Sequence, residues 1–120
     1  MTENLFGFIG LGNMGRPMAQ NIISKNIPLI VHDLAGTKER SPDKAIIAVS
    51  NQDLAKKAKV IALSLPNLES NKSVIREIAD VAKRGTVIVD TCTIGPHAAA
   101  ENREVLQTAG ISYLDSPVSG

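Results

Sequence analysis

The sequence predicts an α/β fold: a doubly wound parallel sheet of six strands, order 3-2-1-4-5-6, in a single domain over residues 1–120. Three observations predict it. Short apolar runs alternate along the whole chain with stretches of helical spacing, the pattern of strand-crossover-strand units that build parallel sheets. Hydrophobic residues make up 43% of the chain but aromatics only 2%, so the core is built from Ile, Val, Leu and Ala, as suits strands covered by helices on both faces. The first apolar run, Leu5 to Ile9, passes without a break into Gly10-Leu11-Gly12-Asn13-Met14-Gly15 and then into a helical pattern. That is strand, tight turn and helix in succession. A chain of 120 residues buries roughly two thirds of the surface its unfolded form exposes, enough for an independent core.

The elements follow in order. After Gly15, Met14, Met18 and Ile22 recur as one helical stripe that ends near Lys25-Asn26, and Pro17 falls in the first turn, where amides lack internal acceptors. The second strand is Leu29 to Asp33. Residues 34–44 hold Gly36, Pro42 and several charges, and read as a loop or a short, poor helix. Ala45 to Val49 is a short third strand. Ser50 and Asp53 form a capping pattern for a helix reaching about Ala58. Val60 to Leu65 is a buried strand stopped by Pro66. The next helix buries Val74, Ile78 and Val81 and closes at Lys83-Arg84-Gly85. Thr86 to Asp90 is the fifth strand. Pro96 suits the first turn of a helix carrying Ala98, Val105 and Ala109, with Gly110 at its end. Ile111 to Asp115 is the sixth strand.

Each glycine of Gly10-x-Gly12-x-x-Gly15 has its own physical task. Gly10 makes the turn, Gly12 lets a pyrophosphate approach the backbone, and Gly15 lets the helix pack close to the strand. The amides near Asn13, Met14 and Gly15 open the helix and favour an anion. Asp33 ends the second apolar run, where a carboxylate can accept from the hydroxyls of a ribose. The pattern therefore reads as a dinucleotide-binding turn of the Rossmann type. Ligands of such sheets sit beyond the carboxyl ends of the strands, and the polar clusters of this chain fall there: Gly10–Gly15, Asp33, Pro66–Asn67, Thr91–Thr93 and Ser116–Ser119.

Other functions are set aside. Thirteen basic and twelve acidic residues leave a net charge of +1, which argues for neither nucleic acid nor an anionic membrane as partner. The longest strongly apolar stretch, Val60 to Leu65, is far short of the ~20 residues a spanning helix needs. One cysteine, Cys92, allows no disulfide within the chain, and the start Met-Thr-Glu-Asn does not look like a signal peptide, so a cytoplasmic protein is expected. With no histidine beside it in sequence, Cys92 reads as a small buried residue rather than a nucleophile. Asp90 and Asp115 read as strand-end acceptors of loop amides rather than an acid-base pair. His32 and His97 read as solvated, and no cluster has metal-ligand spacing. Met14 and Met18 read as core packing. A methyltransferase on the same sheet is disfavoured, because those usually carry an acidic residue in the glycine-rich strand and Leu5–Ile9 has none.

With these motifs in order, the chain resembles the N-terminal half of the β-hydroxyacid dehydrogenases. Gly7-Phe-Ile-Gly-Leu-Gly-Asn-Met-Gly-Arg-Pro-Met-Ala is close to that family's opening, Leu65-Pro66 matches its Leu-Pro after the fourth strand, and Asp115-Ser-Pro-Val-Ser-Gly120 matches its Asp-Ala-Pro-Val-Ser-Gly. The resemblance implies pyrophosphate contacts from Leu11, Asn13 and Met14, ribose contact from Asp33, and cofactor contacts from Leu65, Pro66 and Thr93. It places Ser119 against the substrate. Where the family has Ser-Thr-Ile after the fifth strand, this chain has Cys92-Thr93-Ile94.

The implied activity is hydride transfer between NAD or NADP and a small 3-hydroxy acid or its semialdehyde. Members that use NADP tend to carry Asn-Arg where this chain has His32-Asp33, so NAD is favoured. Family members continue into a helical domain that supplies a catalytic lysine, and none of the lysines here aligns with it. The expectation for these 120 residues is cofactor binding without turnover, with no catalytic residue on the chain and self-association through any apolar surface left open. The alternative is a dinucleotide-binding or interaction module without catalysis.

Overall fold

The computed structural model describes residues 5–118. Six strands form one sheet: β1 (Phe6–Ile9), β2 (Leu29–His32), β3 (Ile46–Ile47), β4 (Val60–Leu63), β5 (Val87–Asp90) and β6 (Ser112–Asp115). Their order is β3-β2-β1-β4-β5-β6, and every pairing is parallel, as the alternating pattern predicts. The connections carry α1 (Gly15–Ser24), α2 (Thr37–Arg40), α3 (Asn51–Lys57), α4 (Leu68–Val81) and α5 (Gly95–Thr108). β1 lies centrally between β2 and β4, with Phe6 opposite both Leu29 and Val60.

Alternate residues of each strand feed two cores. One face puts Ile9, Ile30, Ile61 and Ile88 against Leu54, Ile75, Ile78 and Leu106 of α3, α4 and α5. The other puts Phe8, Val31 and Ala62 against Ala19, Met18 and Ile22 of α1. That second cover is incomplete. Val89 is half-buried at its margin, and Leu114, on the same face of the neighbouring strand, is 56% exposed.

Local chemistry sets the helix starts. Ser50 Oγ accepts from the Asp53 amide at 2.9 Å while the Asp53 carboxylate accepts from the Val49 amide at 3.1 Å, a reciprocal cap. Asn67 Oδ1 accepts from the Ser70 amide at 2.8 Å and opens α4.

Four expectations need correction. Met14 precedes α1 and is 51% exposed, so the packed stripe begins at Met18. The third strand shrinks to two exposed residues, because β3 is an edge and only Ile30 and Val31 pair with it. In α5, Val105 is exposed and Leu106 buried. The buried stripe runs Ala98, Asn102, Leu106, and the polar Asn102 disguised it. His32 is buried rather than solvated, with Nδ1 2.7 Å from Asn51 Oδ1. Asn51 Nδ2 in turn donates to Glu77 Oε1 at 3.0 Å.

Candidate functional site

The parallel ladder continues one residue past β1, β4, β5 and β6. Gly10, Ser64, Thr91 and Ser116 donate to His32, Ile9, Leu63 and Asp90 respectively. Four loops therefore leave the same edge of the sheet, and they carry all the sequence-predicted site residues of the described region except Asp33, which follows β2 at that same edge. Ser119, expected to face the substrate, lies outside the described residues.

The three glycines stand in different surroundings. Gly10 has φ +99°, and a Cβ there would overlap the Ser64 carbonyl oxygen of the neighbouring strand. A Cβ at Gly15 would overlap the Gly10 carbonyl oxygen and crowd Phe8. At Gly12 a Cβ would meet nothing within 4 Å, and no positive φ demands glycine. The packing of the described residues leaves that space free. Around it, the amides of Gly12, Asn13 and Met14 have no acceptor among the described residues, while the Gly12 carbonyl accepts from Arg16 at 3.0 Å. A bare backbone cradle at a helix N-terminus suits a pyrophosphate.

On the β2 side of the turn, Asp33 is already engaged. Its Oδ2 accepts from the Leu11 amide at 2.7 Å and its Oδ1 from Ala35 at 2.8 Å, with Arg40 Nη1 3.6 Å from Oδ2. The Leu11 amide is thus spent on Asp33, and the open donors are those of residues 12–14. Thr37 Oγ1 accepts from the Asp33 amide at 2.8 Å and fixes the loop behind it. One lone pair on Oδ1 is free for a further donor such as a ribose hydroxyl.

On the β4–β5 side lies a cavity of about 250 Å3. Leu65, Pro66, Thr93 and Met14 line it together, joined by Asn67, Thr91, Ile94 and Val118, which sequence reasoning did not single out as ligand contacts. Asn67 and Thr91 were visible as members of the polar clusters at the strand ends, and Val118 as part of the closing motif. Thr91 Oγ1 donates to the Leu63 carbonyl at 2.6 Å and is unavailable as a donor to a ligand.

Cys92 also lines this cavity but is 6% exposed. Its sulfur accepts from the Leu65 amide at 3.2 Å. Burial first, and the neighbouring Asp90 carboxylate second, push the thiol up to about 11 from an ordinary 9.0. At pH 8 its thiolate fraction is then about a hundredfold below that of an ordinary thiol. Alkylation by iodoacetamide at pH 8 should therefore run at least ~100-fold slower in the folded chain than in the same chain in denaturant. Comparable rates would show a reactive site instead. Asp90 is fully buried and bonded, and Asp115 is exposed, so the two do not form an acid-base pair. Among the described residues no group of His, Cys, Asp and Glu is arranged to hold a metal ion, and no helix is long and apolar enough to cross a membrane.

Known proteins are similar to this chain in sequence and fold. A 3-hydroxyisobutyrate dehydrogenase, mitochondrial, from Rattus norvegicus is 37% identical over 119 residues, covering 95% of this chain and 36% of that protein. The solved Mycobacterium tuberculosis 3-hydroxyisobutyrate dehydrogenase with L-serine superposes with a TM-score of 0.91 at 28% identity, covering 98% of this chain and 41% of that one. Psf3 in complex with NADP+ and 2-OPP gives 0.85 at 27% identity, covering 96% and 43%. The chain spans about 36% of the length of the rat relative and 40% of a 2-(hydroxymethyl)glutarate dehydrogenase from Eubacterium barkeri. The description "NAD binding domain of 6-phosphogluconate dehydrogenase" matches residues 5–120. With the parallel sheet, the glycine cradle and this match over nearly the whole sequence, the chain belongs to the family of the NAD binding domain of 6-phosphogluconate dehydrogenase.

Proposed function

We propose that this chain is the cofactor-binding domain of a dehydrogenase that uses NAD in preference to NADP and acts on a small 3-hydroxy acid or its semialdehyde. One observation carries the reading: Gly12 faces space that no atom of the described residues fills, beside amides that have no acceptor among them. A diphosphate fits there. Asp33 would hold the adenosine ribose, and Leu65, Pro66 and Thr93, which line the cavity, would hold the nicotinamide. The bound cofactor supplies the hydride donor or acceptor. The chain's own residues anchor the diphosphate through backbone donors, accept from the ribose at Asp33, and shelter the reacting ring from water on one side. The substrate class rests on the relatives named above and on the implied place of Ser119. No lysine of this chain aligns with the family's catalytic one, so the proposal for these residues is binding and orientation.

Charge supports the nucleotide preference. The Asp33 carboxylate would face a 2′-phosphate at close range and repel it, and Arg40 at 3.6 Å is already drawn to that carboxylate. Titrating the unaltered chain by cofactor fluorescence should show NADH bound at least ~10-fold more tightly than NADPH, about 1.4 kcal/mol. Asp33→Asn should shrink that ratio by about tenfold, since the repulsion ends while one loop amide loses its acceptor. Tighter binding of NADPH by the unaltered chain would overturn the preference, and binding of neither would overturn the function.

A further inference from the structure

A fully buried carboxylate, Asp90, ends β5 one residue before the cavity-lining Thr91, and none of its hydrogen-bond partners among the described residues is a cationic side chain. Its Oδ2 accepts from Asn71 Nδ2 at 2.8 Å and from the Tyr113 hydroxyl at 2.7 Å. Its Oδ1 accepts from the Cys92 amide at 3.0 Å. Asn102 Nδ2 donates to Asn71 Oδ1 at 2.9 Å and lies 3.4 Å from the Tyr113 hydroxyl. One carboxylate thus gathers donors from α4, β6 and the loop after β5, with α5 supporting them. A buried acceptor of this kind is costly unless donors meet it, and an apolar group of similar volume would leave Asn71 Nδ2, the Tyr113 hydroxyl and the Cys92 amide without their acceptor.

The Cys92 amide is the point where this network meets the cavity. Asp90 holds the Cys92 nitrogen, and the Cys92 sulfur accepts from the Leu65 amide at 3.2 Å. The loops bearing Leu65-Pro66 and Cys92-Thr93 form two walls of the cavity, and they are joined to each other through one side chain whose backbone amide donates to the buried Asp90 carboxyl group. We infer that Asp90 is a positioning residue for the nicotinamide end of the cofactor, acting through Cys92 to preset both walls before the ring enters. The inference rests on the proposed function, since it takes the cavity as the nicotinamide site. Preset walls avoid the ordering that binding would otherwise demand, and that is where affinity is lost when a support is cut.

The test separates a local effect from a general loss of structure by using two ligands. NADH reaches from Asp33 across the glycine cradle into the cavity, whereas ADP-ribose, which lacks the nicotinamide, stops short of the walls. Calorimetric titration of Asp90→Asn, Tyr113→Phe and Cys92→Val should show NADH weakened about tenfold, threefold and fivefold, with ADP-ribose changed less than twofold in each. Circular dichroism identifies the variants that fold. Should Asp90→Asn fail to do so, the other two, each of which deletes a single hydrogen-bonding group, decide the matter. Parallel loss of both ligands, or no loss of NADH in a folded variant, overturns the positioning role, as does equal affinity of the unaltered chain for the two ligands. If the unaltered chain binds neither ligand, the proposed function itself has failed.

Discussion

Gly12→Ala should fold with a stability within about 0.5 kcal/mol of the parent and lose between ten- and a hundredfold in affinity for NADH. The stability side follows from the empty space around the site: a Cβ there meets no atom within 4 Å and no positive φ has to be relieved. An alanine on compatible backbone even removes freedom from the unfolded chain, a gain of a few tenths of a kcal/mol. The affinity side follows from what the space is for. A methyl group in the path of the diphosphate pushes it away from the amides of residues 12–14, and forced overpacking of this kind costs roughly 1–3 kcal/mol, which is the stated range of affinity. Urea unfolding with parallel cofactor titration measures both. A folded Gly12→Ala chain with unchanged NADH affinity would leave the cradle without a purpose.

Gly10→Ala should show the opposite signature, a loss of stability of about 3–5 kcal/mol. Two penalties coincide there. The backbone at φ +99° disfavours any side chain, and the new Cβ would overlap the Ser64 carbonyl oxygen, which belongs to the rigid continuation of β4 rather than to a flexible side chain. The turn would have to open, and with it the ladder bond from the Gly10 amide to His32 and the packing of α1 through Gly15. Domains are stable by only about 5–15 kcal/mol, so such a loss is a large part of the whole. Thermal and urea denaturation read it directly. A change below about 1 kcal/mol would mean that the turn yields, and that the glycine is there for the ligand alone.

The candidate site was legible where its chemistry is local. The glycine spacing, the strand before it and the helix after it are neighbours in sequence, and Leu65-Pro66 and Thr93 could be placed at strand ends by counting apolar runs. Asp33 was legible as a carboxylate at the end of the second apolar run but not as the acceptor of the Leu11 amide, because nothing in either residue announces the other. His32 read as solvated for a related reason. A histidine at the end of an apolar run gives no sign that Asn51, and behind it Glu77, will receive it.

The class of the sheet, its strand order and the glycine turn after β1 could all be read from the residues alone. Each follows from periodicity and from short motifs, and the rules of right-handed crossover then leave few ways to arrange the strands. Which face of α5 is buried, where the site's amides are spent, and that Asp90 sits at the centre of a polar core emerge from the folded chain alone. The partners in that core stand 19, 23 and 31 residues apart, and the sulfur that ties the two cavity walls accepts from an amide 27 residues away. Hydrogen bonds over such separations exist only after the strands have paired. Their physical basis is proximity created by the fold, which no local pattern of residues contains.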